Sequence, residues 1–556
     1  MSYFSYIRFF AFCLFIHLTS GVSAQTPYSK IETFTKIWGF LKYHHPAVAT
    51  GRINWDSVYV STMAKIQSAP GTDINKRVLG IIDDLGALNK NRAVKVPDTL
   101  FSKNHDLKWI DTDKAIGTKL RSRLKDIYTY RNSGENKYIK LINSTADYSG
   151  EDQYDKLGFP NSSYRLLFLA RFWNAINYFA PYKYETGEDW NSVLNRFIPR
   201  MIKAKDTLAY YKAMMQLAVT LNDGHAQFTI ANGNTAIKNV VFGKYAAPVF
   251  ADIADAKVII RKSAAYDEKN GLKPGDVILS IDNEPIGKRI SRLAALTSGS
   301  NKVGRNKQVT WILFNTHQAY MTFKIKRGNR ITAVKVKCML AADRNWRDLN
   351  NYTANETGYE MIGQGVTRVY AGQIWRGNID TIKTLIRNSK AVIFDVRNYP
   401  NNDEFYKLFD VFLPESKVIN QSLLMSVNHP GYFKWQPSPK IGGINLSPYN
   451  GKVIILADER SQSQGEYSVM TLQTIPGAAT IGSQTAGVDG VVTNIPMGNK
   501  MALSYSGYGI FYPDKTPTQR RGIRIDVKVE KTAISIGTGN DAAMEKALLY
   551  LREKGI

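Results

Sequence analysis

Residues 452–466 read Lys452-Val-Ile-Ile-Leu-Ala-Asp-Glu-Arg-Ser-Gln-Ser463-Gln-Gly-Glu466. The unbroken apolar run from Val453 to Ala457 predicts a strand buried on both faces, as in a parallel sheet. A helix is expected from Ser463 to Thr474, where Pro476-Gly477 stops it. At a helix N-terminus the free backbone N–H groups and the dipole favour negative charge, so a serine there suits nucleophilic attack. The same Ser-x-x-Glu spacing is also a capping box, in which Ser463 and Glu466 satisfy each other's backbone amides. Within this segment both readings stand.

Working outward, Ala391-Val-Ile-Phe-Asp-Val396 and Ala479-Thr-Ile-Gly482 are further apolar strands, and Asp541 to Lys554 is an amphipathic C-terminal helix. Strands alternating with helices over residues 341–556 predict an α/β layer. Asp395-Val-Arg397-Asn398-Tyr-Pro400-Asn401-Asn402 follows its strand directly. Upstream, from about Asn239, the pattern turns to β. Pro274-Gly275-Asp276 makes a tight turn into the strand Val-Ile-Leu-Ser-Ile281, and Asp282-Asn283 makes a second turn. Two strands, Tyr320–Lys326 and Thr332–Lys337, follow around Arg327-Gly328-Asn329.

The first 235 residues contain a duplication. Trp38, Tyr43, Pro46 and Trp55 recur as Trp173, Tyr178, Pro181 and Trp190, each 135 residues later. Each copy reads as an apolar helix stopped by proline, a turn, then tryptophan opening a second helix. The copies diverge at their ends: Leu221-Asn-Asp223-Gly-His225 closes the second, whereas Leu85-Gly-Ala-Leu-Asn-Lys-Asn91 holds that place in the first. His44-His45 looks like a metal pair, but its counterparts are Phe179 and Ala180, and no carboxylate–histidine spacing supports a metal. His105, His317 and His429 read as surface or turn residues. The polar breaks Asn132–Lys137 and Ser149–Gln153 read as linkers.

The chain has 556 residues and a formal charge of +26, which raises nucleic acid as a partner. Its first residues argue otherwise. Arg8, the apolar run Phe9–Ile16 and Val22-Ser-Ala24 predict a signal peptide over 1–24, too short for a membrane span. Export excludes nucleic acid and leaves anionic surfaces or acidic substrates to use the charge. Of two cysteines, Cys13 lies in that leader, so the mature chain can form neither an intrachain disulfide nor a thiolate metal site. Neither metal nor cofactor is expected.

Gly271-Leu-Lys-Pro-Gly-Asp-Val-Ile-Leu-Ser-Ile-Asp-Asn-Glu-Pro-Ile286 resembles a PDZ domain, which adds an extended peptide to a sheet edge and often cradles its terminal carboxylate. The resemblance implies a substrate loop near Tyr245, Ala246 and Ala247. The ordered set Asp223-Gly-His225, the PDZ-like run, Asp395-Val-Arg397, Ser461-Gln-Ser463-Gln-Gly-Glu466, Gly482-Ser-Gln-Thr485-Ala-Gly487 and Gly522-Ile-Arg-Ile-Asp526 resembles the tail-specific, or C-terminal-processing, serine peptidases. The closer likeness is to their tricorn-core-like branch. It covers about residues 160 to 555.

The resemblance implies a multidomain α+β chain: helical modules over 25–150 and 151–235, a PDZ-like domain over 236–340, and an α/β core of ClpP/crotonase-like type over 341–556. It implies an exported endopeptidase acting on peptides or unfolded and terminal protein segments. Ser463 is then the nucleophile and His225 the base, since no lysine lies between Lys452 and Lys500. Asp223, Glu466 and Asp526 are candidates to orient His225. The oxyanion donors would be the N–H of Gln464 and one from the Asn398–Asn402 loop, with Asn401 standing in for the family's glycine pair. That substitution motivates a second reading, a catalytically weak peptide-binding protein of the same fold. Tyr505, Tyr508, Phe511 and Tyr512 either line a groove or pack a strand. Carbohydrate hydrolysis would require two carboxylates across a sugar, and no such pair stands out.

Overall fold

The duplicated tryptophans bond to each other in both copies. Trp38 Nε1 donates to Trp55 O at 2.9 Å and Trp55 Nε1 to Trp38 O at 3.0 Å. The equivalent Trp173–Trp190 pair closes at 2.8 and 3.0 Å. All four indoles are buried, so each N–H needs a protein acceptor. The computed structural model describes residues 28–230, 235–263, 271–349, 355–363, 365–400 and 403–556. The expected leader and residues Asn401 and Asn402 lie outside them.

Helices Ser29–His44, Trp55–Ser68 and Ile74–Asp84 of the first copy match Ser162–Phe179, Trp190–Lys203 and Thr207–Val219 of the second. The long first helices pack face to face. Gly39 permits this, because a Cβ there would fall 1.9 Å from the Asn174 side chain. The expected linker Ser149–Gln153 proves to be partly core. Glu151 is buried and pairs with Lys42 Nζ at 2.5 Å and Arg171 Nε at 3.4 Å, while Arg171 also binds Asp56. The partner charges offset a desolvation cost that none of these side chains could bear alone.

The β region starts later than expected, because Asn239 lies inside helix Thr235–Phe242. Strands Val249–Ala254, Lys257–Ser263, Val277–Ile281, Tyr320–Arg327 and Arg330–Lys337 form an antiparallel sheet with Val249–Ala254 at one edge and Arg330–Lys337 at the other. Helices Ile286–Ala294 and Lys302–Ile312 contribute Leu293, Val309 and Ile312 to the core beneath this sheet. The expected substrate loop takes a different form. Tyr245–Ala246 is the central strand between Met339–Leu340 and Asn315–Thr316, and Ala247 N donates to Phe314 O at 3.1 Å. With Ala246 and Ala247 fully buried, this backbone has no amide open to a peptide carboxylate.

The C-terminal layer is a six-stranded sheet in the order Tyr359–Ile362, Val366–Tyr370, Ala391–Asp395, Lys452–Ala457, Ala479–Gly482, Val527–Lys528. Its first pair is antiparallel and the rest are parallel. Helices Ile379–Asn388 and Gln464–Leu472 cover one face, over Val392, Phe394, Val453 and Ile455. Helix Ala542–Glu553 covers the other, over Ile393, Ile454 and Ile481. In a parallel sheet wrapped this way, ligand-contacting loops lie at the carboxyl ends of the strands. Here those ends are Asp395, Ala457 and Gly482. Among the described residues no helix is long and apolar enough to cross a membrane.

A separate sheet joins the helical module to this layer. Strand Phe228–Ile230, just beyond His225, pairs antiparallel with Met501–Ser506, which pairs in turn with Val492–Pro496. Two segments far apart in sequence are thereby fixed in one register, and Tyr148 Oη bonds Tyr505 Oη across the same boundary at 2.9 Å. Trp173→Phe keeps an aromatic ring but leaves Trp190 O without its donor. Urea unfolding should show a loss of about 1–3 kcal/mol; an unchanged midpoint would mean that the paired indole bonds contribute nothing.

Candidate active site

The strand Lys452–Ala457 ends in a loop that returns at once into helix Gln464–Leu472, with Ser463 as its N-cap. Ser463 holds φ 51° and ψ −118°. A non-glycine residue there stores about 1–3 kcal/mol of strain, which persists only where the surroundings enforce it. A sharp strand-to-helix turn of this kind presents its side chain outward. The Ser463 hydroxyl makes no capping bond, so the capping-box alternative does not hold. Ser461, two residues earlier, is buried and donates to Val396 O at 3.0 Å, whereas Ser463 is half-buried with its hydroxyl unengaged.

Glu466 meets the Ser463 backbone amide, as in the capping pattern, but it also binds the loop beyond the next strand. Its Oε1 accepts from Thr485 Oγ1 at 2.5 Å and Gly487 N at 2.8 Å, and its Oε2 accepts from Val488 N at 2.8 Å. Complete burial pushes its carboxyl up to about 7 against these donors, which favour the ionised form. The loop it fixes then holds Ser463, whose N–H donates to Val488 O at 2.7 Å. Glu466 therefore positions Ser463 and makes no bond to His225.

His225 reaches the same loop from the helical module. Its neighbour Gly224 lies against Val488: a Cβ on Gly224 would stand 3.1 Å from the valine side chain. Val488 thus touches the backbone beside His225 with its side chain and the backbone of Ser463 with its carbonyl. Asp223 accepts from His225 N at 3.0 Å, from Ser506 N at 2.7 Å and from Ser506 Oγ at 2.9 Å. The single hydroxyl proton of Ser506 is committed to Asp223, so Ser506 Oγ accepts from His225 Nδ1–H, 3.0 Å away. That network assigns the tautomer with its lone pair on Nε2, the nitrogen a general base uses. Burial pushes the imidazole below its ordinary range, and the Asp223 charge partly opposes this. The neutral form is accordingly favoured.

Among the candidate orienting acids, only Asp223 is bonded into the His225 network. Asp526 lies elsewhere: its Oδ2 accepts from Thr480 N at 2.7 Å and its N–H donates to Thr480 O at 2.9 Å, which ties the last core strand to its neighbour. Asp395 and Arg397 form a buried brace. Arg397 reaches both oxygens of Asp395 at 2.7 and 2.8 Å and both of Asp541 at 2.7 Å, and Arg368 Nη2 joins Asp395 at 2.6 Å. These guanidinium groups hold the Asp395 carboxyl far below the usual range despite its burial. The brace anchors the loop that leaves the strand toward Pro400. That loop reaches the helix that Ser463 opens, with Pro400 Cδ 3.9 Å from a Cβ built on Gly465.

The Gln464 N–H, at the first position of its helix, has no protein acceptor among the described residues. The second expected donor, Asn401, falls outside the described residues, and Pro400 carries no N–H. Ser506 is a residue that sequence reasoning missed. It lies in a stretch noticed for its aromatics, and no spacing links it to residue 223. Asp489 was missed too: its carboxyl is buried beside Val488, and burial together with Glu466 pushes it well above the usual range. Of the four aromatics, Tyr505, Phe511 and Tyr512 are buried packing residues, and Tyr508 is half-buried. His44 stacks on Phe40 with ring centroids 4.5 Å apart and Nδ1 on Phe40 O at 2.8 Å, as a helix-end aromatic would.

Residues 369–529 match the model of peptidase family S41. Among solved structures the chain is similar to mature CPAF complexed with lactacystin, at 13% identity and a TM-score of 0.55, covering 70% of this chain and 97% of that one. It is similar to mature CPAF alone at 13% identity and a TM-score of 0.53, covering 67% and 94%. A CPAF mutant gives 14% identity and a TM-score of 0.54, covering 68% and 94%. At these identities the likeness is one of fold. No curated protein sequence matches the chain.

Ser506→Ala deletes the hydroxyl between Asp223 and His225 while keeping the strand. Peptide-hydrolysis kinetics should show kcat reduced roughly 10–100-fold with KM little changed, a smaller loss than the ~10⁴ seen when a catalytic histidine takes the wrong tautomer. Unchanged kcat would remove Ser506 from the relay.

Proposed function

We propose that this chain, whose residues 369–529 match peptidase family S41, is a serine-type peptidase with Ser463 as its nucleophile and His225 as its general base, exported and acting on peptides or protein tails. The observation that carries this reading is the shared contact at Val488, which brings a strained, unengaged serine and an oriented neutral histidine to one loop. In the proposed mechanism His225 Nε2 takes the Ser463 proton as Oγ attacks the scissile carbonyl. The proton passes to the leaving amine, and an acyl-enzyme on Ser463 remains. Water, deprotonated by the same nitrogen, hydrolyses it. Gln464 N–H at the helix N-terminus stabilises the developing oxyanion. Asp223 acts through Ser506 to hold the imidazole and steady its positive charge.

The domain likened to PDZ supports peptide capture along its edge strand Val249–Ala254 rather than through the closed Tyr245–Ala247 segment. Export is proposed from the leader-like residues 1–24. The weak-binder reading keeps one specific support, the proline at position 400 where a donor is expected.

A fluorophosphonate probe should label the wild-type protein at Ser463, and Ser463→Ala should abolish both labelling and peptide cleavage with its melting temperature nearly unchanged. Peptide binding without labelling would favour the weak binder, and labelling of another serine would overturn the assignment. The pH profile follows from His225. A base whose pKa is lowered is already neutral under mildly acidic conditions, so kcat/KM should rise through one ionisation below 6.5, the ordinary histidine value, and then plateau. A rise well above pH 7 would point to another base.

A further inference from the structure

The first copy of the helical module lacks the histidine of the second, yet the equivalent place is concave. A cavity of about 1050 Å³ opens between the turn at His45–Ala47, the loop from Leu85 to Lys95, residues 130–134, and Asn428-His429 at the tip of a core hairpin. The duplication places Asn89 and Lys90 where the second copy has Gly224 and His225.

The charge of the cavity is one-signed. Arg52, Arg92, Lys95 and Arg131 line the cavity, and no aspartate or glutamate does. Arg131 is buried, 4% exposed. Its guanidinium donates to Val94 O at 3.1 Å and Tyr128 O at 2.8 Å, and bonds His429 Nδ1 at 3.1 Å, but Nε has no partner and no carboxylate pairs with it among the described residues. A buried cation without a counter-charge is costly. His45, 2% exposed and also lining the cavity, leaves both ring nitrogens without a partner among the described residues. Polar groups buried in this way ordinarily find a partner. Burial pushes His45 down to about 4, so at neutral pH its ring offers one donor and one acceptor.

We propose that this cavity binds a small, multiply charged oxyanion, phosphate- or carboxylate-bearing, with Arg131 and His45 facing one anionic head and Arg52, Arg92 and Lys95 meeting a second charge at the rim. The planar guanidinium suits either headgroup. Asn89, Asn91 and Asn132 suit a body carrying hydroxyl or carbonyl groups. The site is separate from Ser463 and makes no demand on the peptidase reading.

The test is isothermal titration of the full chain with citrate, inorganic phosphate and fructose 1,6-bisphosphate, at ionic strength held constant with sodium chloride. At least one probe should bind saturably, one per chain. The exposed rim variant Arg92→Ala/Lys95→Ala should weaken that probe about tenfold or more while leaving peptide hydrolysis in place. Arg131→Met should abolish binding, with circular dichroism as the check on folding. Citrate alone binding would assign a carboxylate ligand, and the phosphates alone a phosphate ligand. No saturable binding by any probe, or binding that the rim variant leaves unchanged, would overturn the proposal.

Discussion

One carboxylate sets the geometry on which the site rests. Glu466 ties down Thr485, Gly487 and Val488, and Val488 O then holds the Ser463 amide. A residue at φ 51° relaxes unless its neighbours forbid it. Here the restraint comes from the first turn of the very helix that Ser463 opens. Complete burial makes the arrangement rigid, because three donors converge on a group with no access to water. Val488 also seats Gly224, so the loop that restrains Ser463 is the surface against which the helical module places its histidine.

Docking of that module depends on more than one contact. Strand pairing between Phe228–Ile230 and Met501–Ser506 sets the register, and the carboxylate of Asp223 crosses the same junction to Ser506. The module itself is stiffened by reciprocal tryptophan bonds in each copy and by the buried Lys42–Glu151–Arg171–Asp56 cluster between them. A duplicated scaffold thus carries His225 at the end of its second copy and a basic cavity beside its first.

The elements were largely legible in the sequence because their signals are local. The strands Lys452–Ala457 and Ala479–Gly482 are observed where their apolar runs begin and end, and the repeat announced itself through Trp, Tyr and Pro at a constant offset. Ser463 and His225 were legible by resemblance to a family pattern, and their roles remain part of the proposal. What was illegible is long-range. Ser506 joins Asp223 only through strand register. Glu151 in a polar stretch gave no sign of the buried partners it meets. The Tyr245–Ala247 segment has a strand closed on both sides, which its sequence of small residues does not reveal. Ser-x-x-Glu was ambiguous because a capping box and a nucleophile helix share one spacing, and only the φ of Ser463 and the partners of Glu466 separate them.

The most direct measurement of the central claim is a crystal structure of the chain inactivated by a peptide boronate. A covalent bond from boron to Ser463 Oγ is predicted, with His225 Nε2 within hydrogen-bond distance of the adduct and one boronate oxygen on Gln464 N–H. An adduct on another residue, or His225 turned away from an adduct on Ser463, would contradict the account.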